Sequence, residues 1–250
     1  MTTRKTILIT GASSGLGAEM ARQFAALGYD LALCARRTER LEELKRGIAA
    51  AHPESRVELR ALDVTDYDAV FTVFRAFRDD LGRLDRIVVN AGLGKGAPLG
   101  TGKFHANRQT AETNFIGALA QTEAAAEIFR AQNAGHLVMI SSVSAMRGMP
   151  KAITTYAATK AAVAHLAEGF RADVWNTPIK VSVLYPGYIE SEMSARSAKT
   201  PLMTTTEKGV RSMVRAIERE VPSARVPGWP WEPFGFALRH LPFAFARRMM

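Results

Sequence analysis

Cysteine is nearly missing. Cys34 is the single thiol in 250 residues, so no internal disulfide can form. It lies in an apolar run and reads as a small buried hydrophobe. Long apolar stretches are missing too: nothing approaches the roughly 18 or more uninterrupted apolar residues of a spanning helix, and no transmembrane helix is expected. The N-terminus enters an apolar strand at Ile7 almost at once, which leaves no room for the regions of a signal peptide. A cytoplasmic location is the default expectation. Acidic residues are in deficit, 24 against 33 basic, for a formal charge of +9. No motif pairs basic with aromatic residues in a recognition element, so nucleic acid is not expected as a partner. An anionic cofactor or an anionic membrane surface fits the excess equally well, and solvated surface charge accounts for most of it. No metal site is expected.

What is present is ordinary for a soluble globular chain, with 47% hydrophobic and 23% charged residues. The length suits one large domain and is short for two. Strand-like segments at 5–10, 31–35, 57–62, 86–89, 136–141 and 181–185, with a weak last one at 224–227, alternate with helix-like segments. The helices are expected at 16–27, 38–51, 66–81, 107–132, 155–175 and 206–220. The strands are continuously apolar, which means burial on both faces. Regular strand–helix alternation means βαβ units and a parallel sheet. The predicted fold is α/β: a single Rossmann-type, doubly wound parallel sheet of about seven strands, flanked by helices on both faces. Residues 1–228 read as one dinucleotide-binding and catalytic domain, and 229–250 as an aromatic and basic C-terminal tail.

Tyr156 and Lys160 stand four residues apart in YAATK, inside a helical stretch, and so share one helix face. A phenol is a poor acid or base near neutrality, with a pKa of about 10. A neighbouring ammonium favours the phenolate and lowers that value. Such a phenol can exchange a proton with a carbonyl or alcohol oxygen. The pair alone is common on helices and gains weight from the other end of the chain. There the first strand runs into Thr10-Gly11-Ala12-Ser13-Ser14-Gly15-Leu16-Gly17. Glycines permit a tight turn and close approach of backbone to a ligand, and the following helix offers free N–H groups and a positive dipole end to a pyrophosphate. At the end of the second strand stand Arg36 and Arg37, with no carboxylate to hold a ribose 2′-hydroxyl. Guanidiniums there suit a 2′-phosphate, so NADP(H) is the expected cofactor, with Arg36 placed first and Arg37 second.

Together these residues resemble the short-chain dehydrogenase/reductase family in its classical form, over nearly the whole chain to about residue 195. TGASSGLG at 10–17 looks like the family's glycine motif, and Asp63-Val64 like the pair that contacts adenine. Asn90-Ala91-Gly92 resembles the NAG motif, and Asn114, Ser142, Tyr156 and Lys160 match the catalytic tetrad. Pro186-Gly187, with Ile189 and Ser191, is similar to the PGxxxT stretch near the nicotinamide; Ser191 replaces the usual Thr and keeps the hydroxyl. The Ser142–Tyr156 interval is one residue longer than usual, which leaves Ser144 open as an alternative to Ser142. Ser141 is expected on the opposite face of its strand end.

The resemblance implies hydride transfer between a nicotinamide and a carbonyl or alcohol carbon. By the same resemblance, Tyr156 gives the proton and Ser142 orients the substrate oxygen. Lys160 tunes Tyr156 and holds the ribose, and Asn114 holds a water leading from Lys160 to solvent. It also implies a homodimer or homotetramer built on the long helices. With NADP(H), ketone or aldehyde reduction is expected to dominate. A catalytically silent NADP-binding regulatory protein of the same fold is the alternative, but it has no physical need for all four polar residues.

Substrate selection is expected from loops 93–106, 143–155 and 188–205, the last of them mobile, with Tyr188, Met193, Leu202, Met203, Met146 and Met149 as lining. These lean toward a hydrophobic carbonyl substrate. The tail sets Trp229, Trp231, Phe234, Phe236, Phe243 and Phe245 among Arg239, Arg247 and Arg248, with Pro242 interrupting any long helix. It reads as a flap over the site, as a subunit contact, as a peripheral membrane contact, or as a disordered segment.

Overall fold

A computed structural model of the chain describes residues 4–193 and 202–249. Of the loop 188–205 expected to be mobile, residues 194–201 lie outside the described residues. In chain order the described elements are β1 (Thr6–Thr10), α1 (Gly15–Ala26), β2 (Asp30–Ala35), α2 (Thr38–Ala51), β3 (Val57–Ala61), α3 (Tyr67–Leu81) and β4 (Arg86–Val89). They continue with α4 (Phe104–Ala111), α5 (Gly117–Gln132), β5 (Gly135–Ile140), α6 (Thr154–Asp173), β6 (Ile179–Pro186), α7 (Thr206–Glu218) and β7 (Ser223–Val226). Two tail helices close the chain, α8 (Gly228–His240) and α9 (Phe243–Ala246).

The seven strands form one sheet in the order β3-β2-β1-β4-β5-β6-β7, and every pairing is parallel. All five residues of β1 are buried, as a central parallel strand requires. Side chains alternate across the sheet. Ile7 and Ile9 join Phe24, Leu41, Leu44, Val210, Met213 and Ile217 from α1, α2 and α7 on one side. Leu8 joins Phe74, Phe77, Ile128, Phe129, Val163 and Phe170 from α3, α5 and α6 on the other. Burying each such side chain is worth about 1.5–3 kcal/mol. Two packed layers therefore hold the strand ends as a rigid platform. The strand order reverses between β1 and β4, and that switch point opens a crevice at the carboxyl ends of the strands.

Local signals fix several boundaries. Asp66 caps α3 by accepting a hydrogen bond from the Ala69 N–H at 3.1 Å, so the expected start at 66 is the cap itself. Gly82, at φ 79°, ends that helix in the left-handed conformation. The helix expected at 107–132 is not continuous. α4 and α5 are joined by a wide π-turn over Glu112–Ile116, and Asn114 sits in it. Such turns insert one residue into an α-helix and gather at functional sites.

Candidate active site

The turn from β1 into α1 is built for close approach. Gly11 and Gly15 have φ of 65° and 54°, a region that side chains disfavour. A Cβ on Gly11 would come within 2.9 Å of the Ala91 Cα, and one on Gly17 within 2.5 Å of the Gly11 carbonyl oxygen. Asn90 ties this turn to β4: its Nδ2 donates to the Thr10 carbonyl at 2.8 Å, and the Asn90 and Ala91 N–H groups donate to Thr10 Oγ1 at 3.1 Å. Arg37 folds back over the turn, donating from Nη2 to Ser14 Oγ at 2.7 Å and from Nε to Ser13 Oγ at 3.3 Å. Arg36 points instead toward Asp63, with 3.7 Å between Nη1 and Oδ2. A cavity of about 560 Å³ runs along this wall. Glycine turn, free helix N-terminus and paired guanidiniums give one end of it the donor set of a dinucleotide phosphate site.

Its other end gathers the side chains nominated for catalysis. Ser142 stands at the extended end of β5 and Tyr156 and Lys160 in the first turns of α6, all three on the cavity wall. Ser144 donates its N–H at 3.2 Å and its hydroxyl at 2.9 Å to Ser142 Oγ. Ser142 in turn is hydrogen-bonded to the Tyr156 hydroxyl. Ser144 therefore backs Ser142, and Ser142 meets the phenol. Ser141 points away, donating to the Lys160 carbonyl at 2.7 Å. Lys160 Nζ donates to the Ile140 carbonyl at 2.8 Å and lies 5.8 Å from the Tyr156 ring centroid.

One expectation is reversed. The Tyr156 pKa is raised, not lowered: burial dominates, the Ser142 hydrogen bond pulls it partly back, and Tyr188 adds to the rise. Burial instead lowers Lys160 to about 8. An ammonium this desolvated is a weakened tuner, and one of its donors is taken by the Ile140 carbonyl. The protein alone thus keeps Tyr156 a protonated donor.

Of the nominated residues, Gly11, Ser13, Ser14, Gly15, Leu16, Arg36, Arg37, Asp63, Val64, Asn90, Ala91 and Gly92 line this cavity. So do Pro186, Gly187, Ile189 and Ser191. Gly17 and Asn114 stand just behind the wall. Asn114 Oδ1 accepts from the Leu93 N–H at 2.6 Å, and Nδ2 donates to the Leu93 carbonyl at 2.9 Å and Thr159 Oγ1 at 3.3 Å. A Cβ on Gly92 would lie 3.3 Å from Asn114 Oδ1 and 3.5 Å from Lys160 Nζ, so the two side chains converge on that glycine.

Sequence reasoning missed part of the apolar wall. Tyr188, Met149 and Met193 line the cavity as expected, but Met146, Leu202 and Met203 do not. Met146 instead meets Arg225, whose Nη2 lies 3.6 Å from its sulfur. Leu93, Ile153, Phe234 and Leu238 complete the wall, the last two from α8. Trp231 is fully buried, and its indole fills the space a Cβ on Gly187 would need, 2.0 Å away. Arg147 pins the end of α8, donating to the Leu238, Arg239 and Leu241 carbonyls at 3.0–3.3 Å. The inward side of the tail therefore answers to the flap reading. Its outward side exposes Trp229, Phe236, Phe243 and Phe245. Only the crowding of aromatics in 229–250 hinted at this, because the contacts join residues far apart in sequence.

Comparison with known proteins agrees with this geometry. The family model for short chain dehydrogenase matches residues 5–202. An uncharacterized oxidoreductase of Mycobacterium tuberculosis is 52% identical over 246 residues, covering 98% of this chain and 97% of the relative. A short chain dehydrogenase/reductase from Burkholderia phymatum, solved in complex with NAD, superposes with a TM-score of 0.84 at 22% identity, covering 96% of this chain and 95% of that one. An alcohol dehydrogenase from the archaeon Thermococcus sibiricus, complexed with 5-hydroxy-NADP, gives 0.80 at 24% identity, covering 89% and 95%.

Proposed function

This chain belongs to the short chain dehydrogenase family and is an oxidoreductase, and within that family we propose that it is an NADP(H)-dependent reductase of hydrophobic ketones or aldehydes. One observation carries the reading: a glycine turn with two arginines and a serine–tyrosine–lysine group, its lysine buried, line a single cavity. In this reading the glycine turn at 11–17 holds the pyrophosphate, Arg36 and Arg37 the 2′-phosphate, and Asp63-Val64 the adenine. Asn90-Ala91-Gly92, Pro186-Gly187, Ile189 and Ser191 flank the nicotinamide, and Lys160 holds its ribose. The bound cofactor supplies the hydride.

The protein supplies position and a proton. Ser142 hydrogen-bonds the substrate carbonyl oxygen, with its own orientation fixed by Ser144. Tyr156 gives its proton to that oxygen as negative charge develops there. Asn114 fixes the Leu93 turn beside Lys160 and holds the water through which the proton is replaced. Leu93, Met149, Met193, Phe234 and Leu238 exclude solvent and favour an apolar substrate. Residues 1–228 act as the dinucleotide-binding domain, with the tail closing its substrate side. No helix among the described residues is long and apolar enough to cross a membrane. A cytoplasmic dimer or tetramer, joined through the long helices α5 and α6, completes the proposal.

The test is a panel of ketones and aldehydes followed by NADPH absorbance, with NADH as control and kcat measured against pH. Burial holds Tyr156 above the ordinary phenol value, so the donor is protonated at neutrality. Reduction is therefore level through neutral pH and falls only on the alkaline side, as the phenol ionises. Alcohol oxidation, which needs the phenolate, rises over the same interval. A reduction rate that climbs with pH contradicts the assignment of Tyr156 as the acid.

A further inference from the structure

We infer that Glu192 is an internal rival of the cofactor's 2′-phosphate: its carboxylate takes the Arg37 guanidinium that the phosphate would use, and so sets the strength of cofactor preference. The inference rests on the NADP(H) reading above. Glu192 lies on the segment that follows β6, far along the chain from α2, and reaches back across the cavity mouth. Its Oε2 accepts from Arg37 Nη1 at 3.0 Å, and its Oε1 accepts from Arg40 Nη1. One carboxylate thus bridges two arginines, the arrangement in which guanidiniums also take up phosphate. The remaining donors of Arg37 face Ser13 and Ser14 on the glycine turn. Glu192 lines the same cavity as Arg36, Arg37, Ser13 and Ser14, so carboxylate and phosphate compete for one place.

Glu192 is an anion at neutral pH, because hydrogen bonds from Arg40 and then Arg37 hold its carboxyl below the usual carboxylate range. Binding a 2′-phosphate must break these bonds or bring two like charges together. The pairs are half exposed, with side-chain exposures of 40% for Arg37, 43% for Arg40 and 52% for Glu192, so each is weak and displaceable. A tuning device needs that property, because a deeply buried pair would block the phosphate outright.

Adenosine 2′,5′-bisphosphate and 5′-AMP differ by the group in question, and neither needs a substrate or turnover. Titration calorimetry of both into the full-length wild type and E192Q tests the claim. E192Q is expected to bind the bisphosphate about fivefold more tightly and 5′-AMP unchanged. Raising salt should shrink the difference between the variants. If E192Q binds the bisphosphate no more tightly than wild type, or binds both ligands more weakly, Glu192 is a strap and not a rival, and the inference falls alone. If neither variant prefers the bisphosphate to 5′-AMP, the arginines are no 2′-phosphate site and the cofactor reading falls with it.

Discussion

Replacing Tyr156 with Phe lowers kcat/KM for carbonyl reduction by about a thousandfold, while NADPH still binds as tightly as to wild type. The substitution removes one oxygen from a half-buried ring and leaves its packing in place. The lost atom is the one hydrogen-bonded to Ser142 and, by burial, kept protonated at neutral pH. Neither Lys160 nor Ser144 is placed to take over. Lys160 Nζ is engaged with the Ile140 carbonyl, and Ser144 is occupied in donating to Ser142. A serine hydroxyl is in any case too weak an acid to replace the phenol. Steady-state kinetics with NADPH fluorescence titration as the binding control checks this. Near wild-type turnover in the variant removes Tyr156 from the chemistry; loss of NADPH binding along with turnover shows a structural role instead.

The second large effect concerns the cofactor. Replacing both Arg36 and Arg37 with Ala lowers kcat/KM with NADPH by about a hundredfold, because each charge-assisted hydrogen bond to a phosphate contributes about 1.5–3 kcal/mol and exposure discounts the pair. Values with NADH stay nearly unchanged. The strand end at Ala35 offers no carboxylate for a ribose hydroxyl, so the variant gains nothing for NADH. Of the two, Arg37 carries the larger share. The sequence reading placed Arg36 first, but the Arg37 guanidinium lies against the glycine turn, whereas Arg36 leans toward Asp63. Equal losses with both cofactors would show that the arginines support the fold and do not read the 2′ position.

Segments whose pattern is set by their own residues were legible without coordinates. β4 at Arg86–Val89 and α2 at Thr38–Ala51 have the expected bounds, and the parallel architecture followed from continuously apolar strands. The glycine turn was legible because its residues are neighbours in sequence. Three features were not. The π-turn at Glu112–Ile116 differs from α-helix by one inserted residue, which leaves the apolar spacing on both sides unchanged. The flap stood in the sequence only as one of several readings of the tail, because choosing it depends on Trp231 filling the space above Gly187, a contact with no local signature. The direction of the Tyr156 shift depends on how deeply the ring is buried. A four-residue spacing to Lys160 shows that a charge is near, but not that its ammonium turns to Ile140.

The most direct test of hydride transfer onto a carbonyl activated by Tyr156 is isotopic. NADPH carrying deuterium on the transferring face of nicotinamide C4 is mixed with enzyme and an apolar ketone, and the product alcohol is analysed by mass spectrometry and NMR. The account predicts one deuterium on the carbinol carbon, in a single stereochemical sense, with none exchanged into water. Alcohol formed without the label, or no alcohol and no oxidised cofactor from any ketone of the panel, would contradict it.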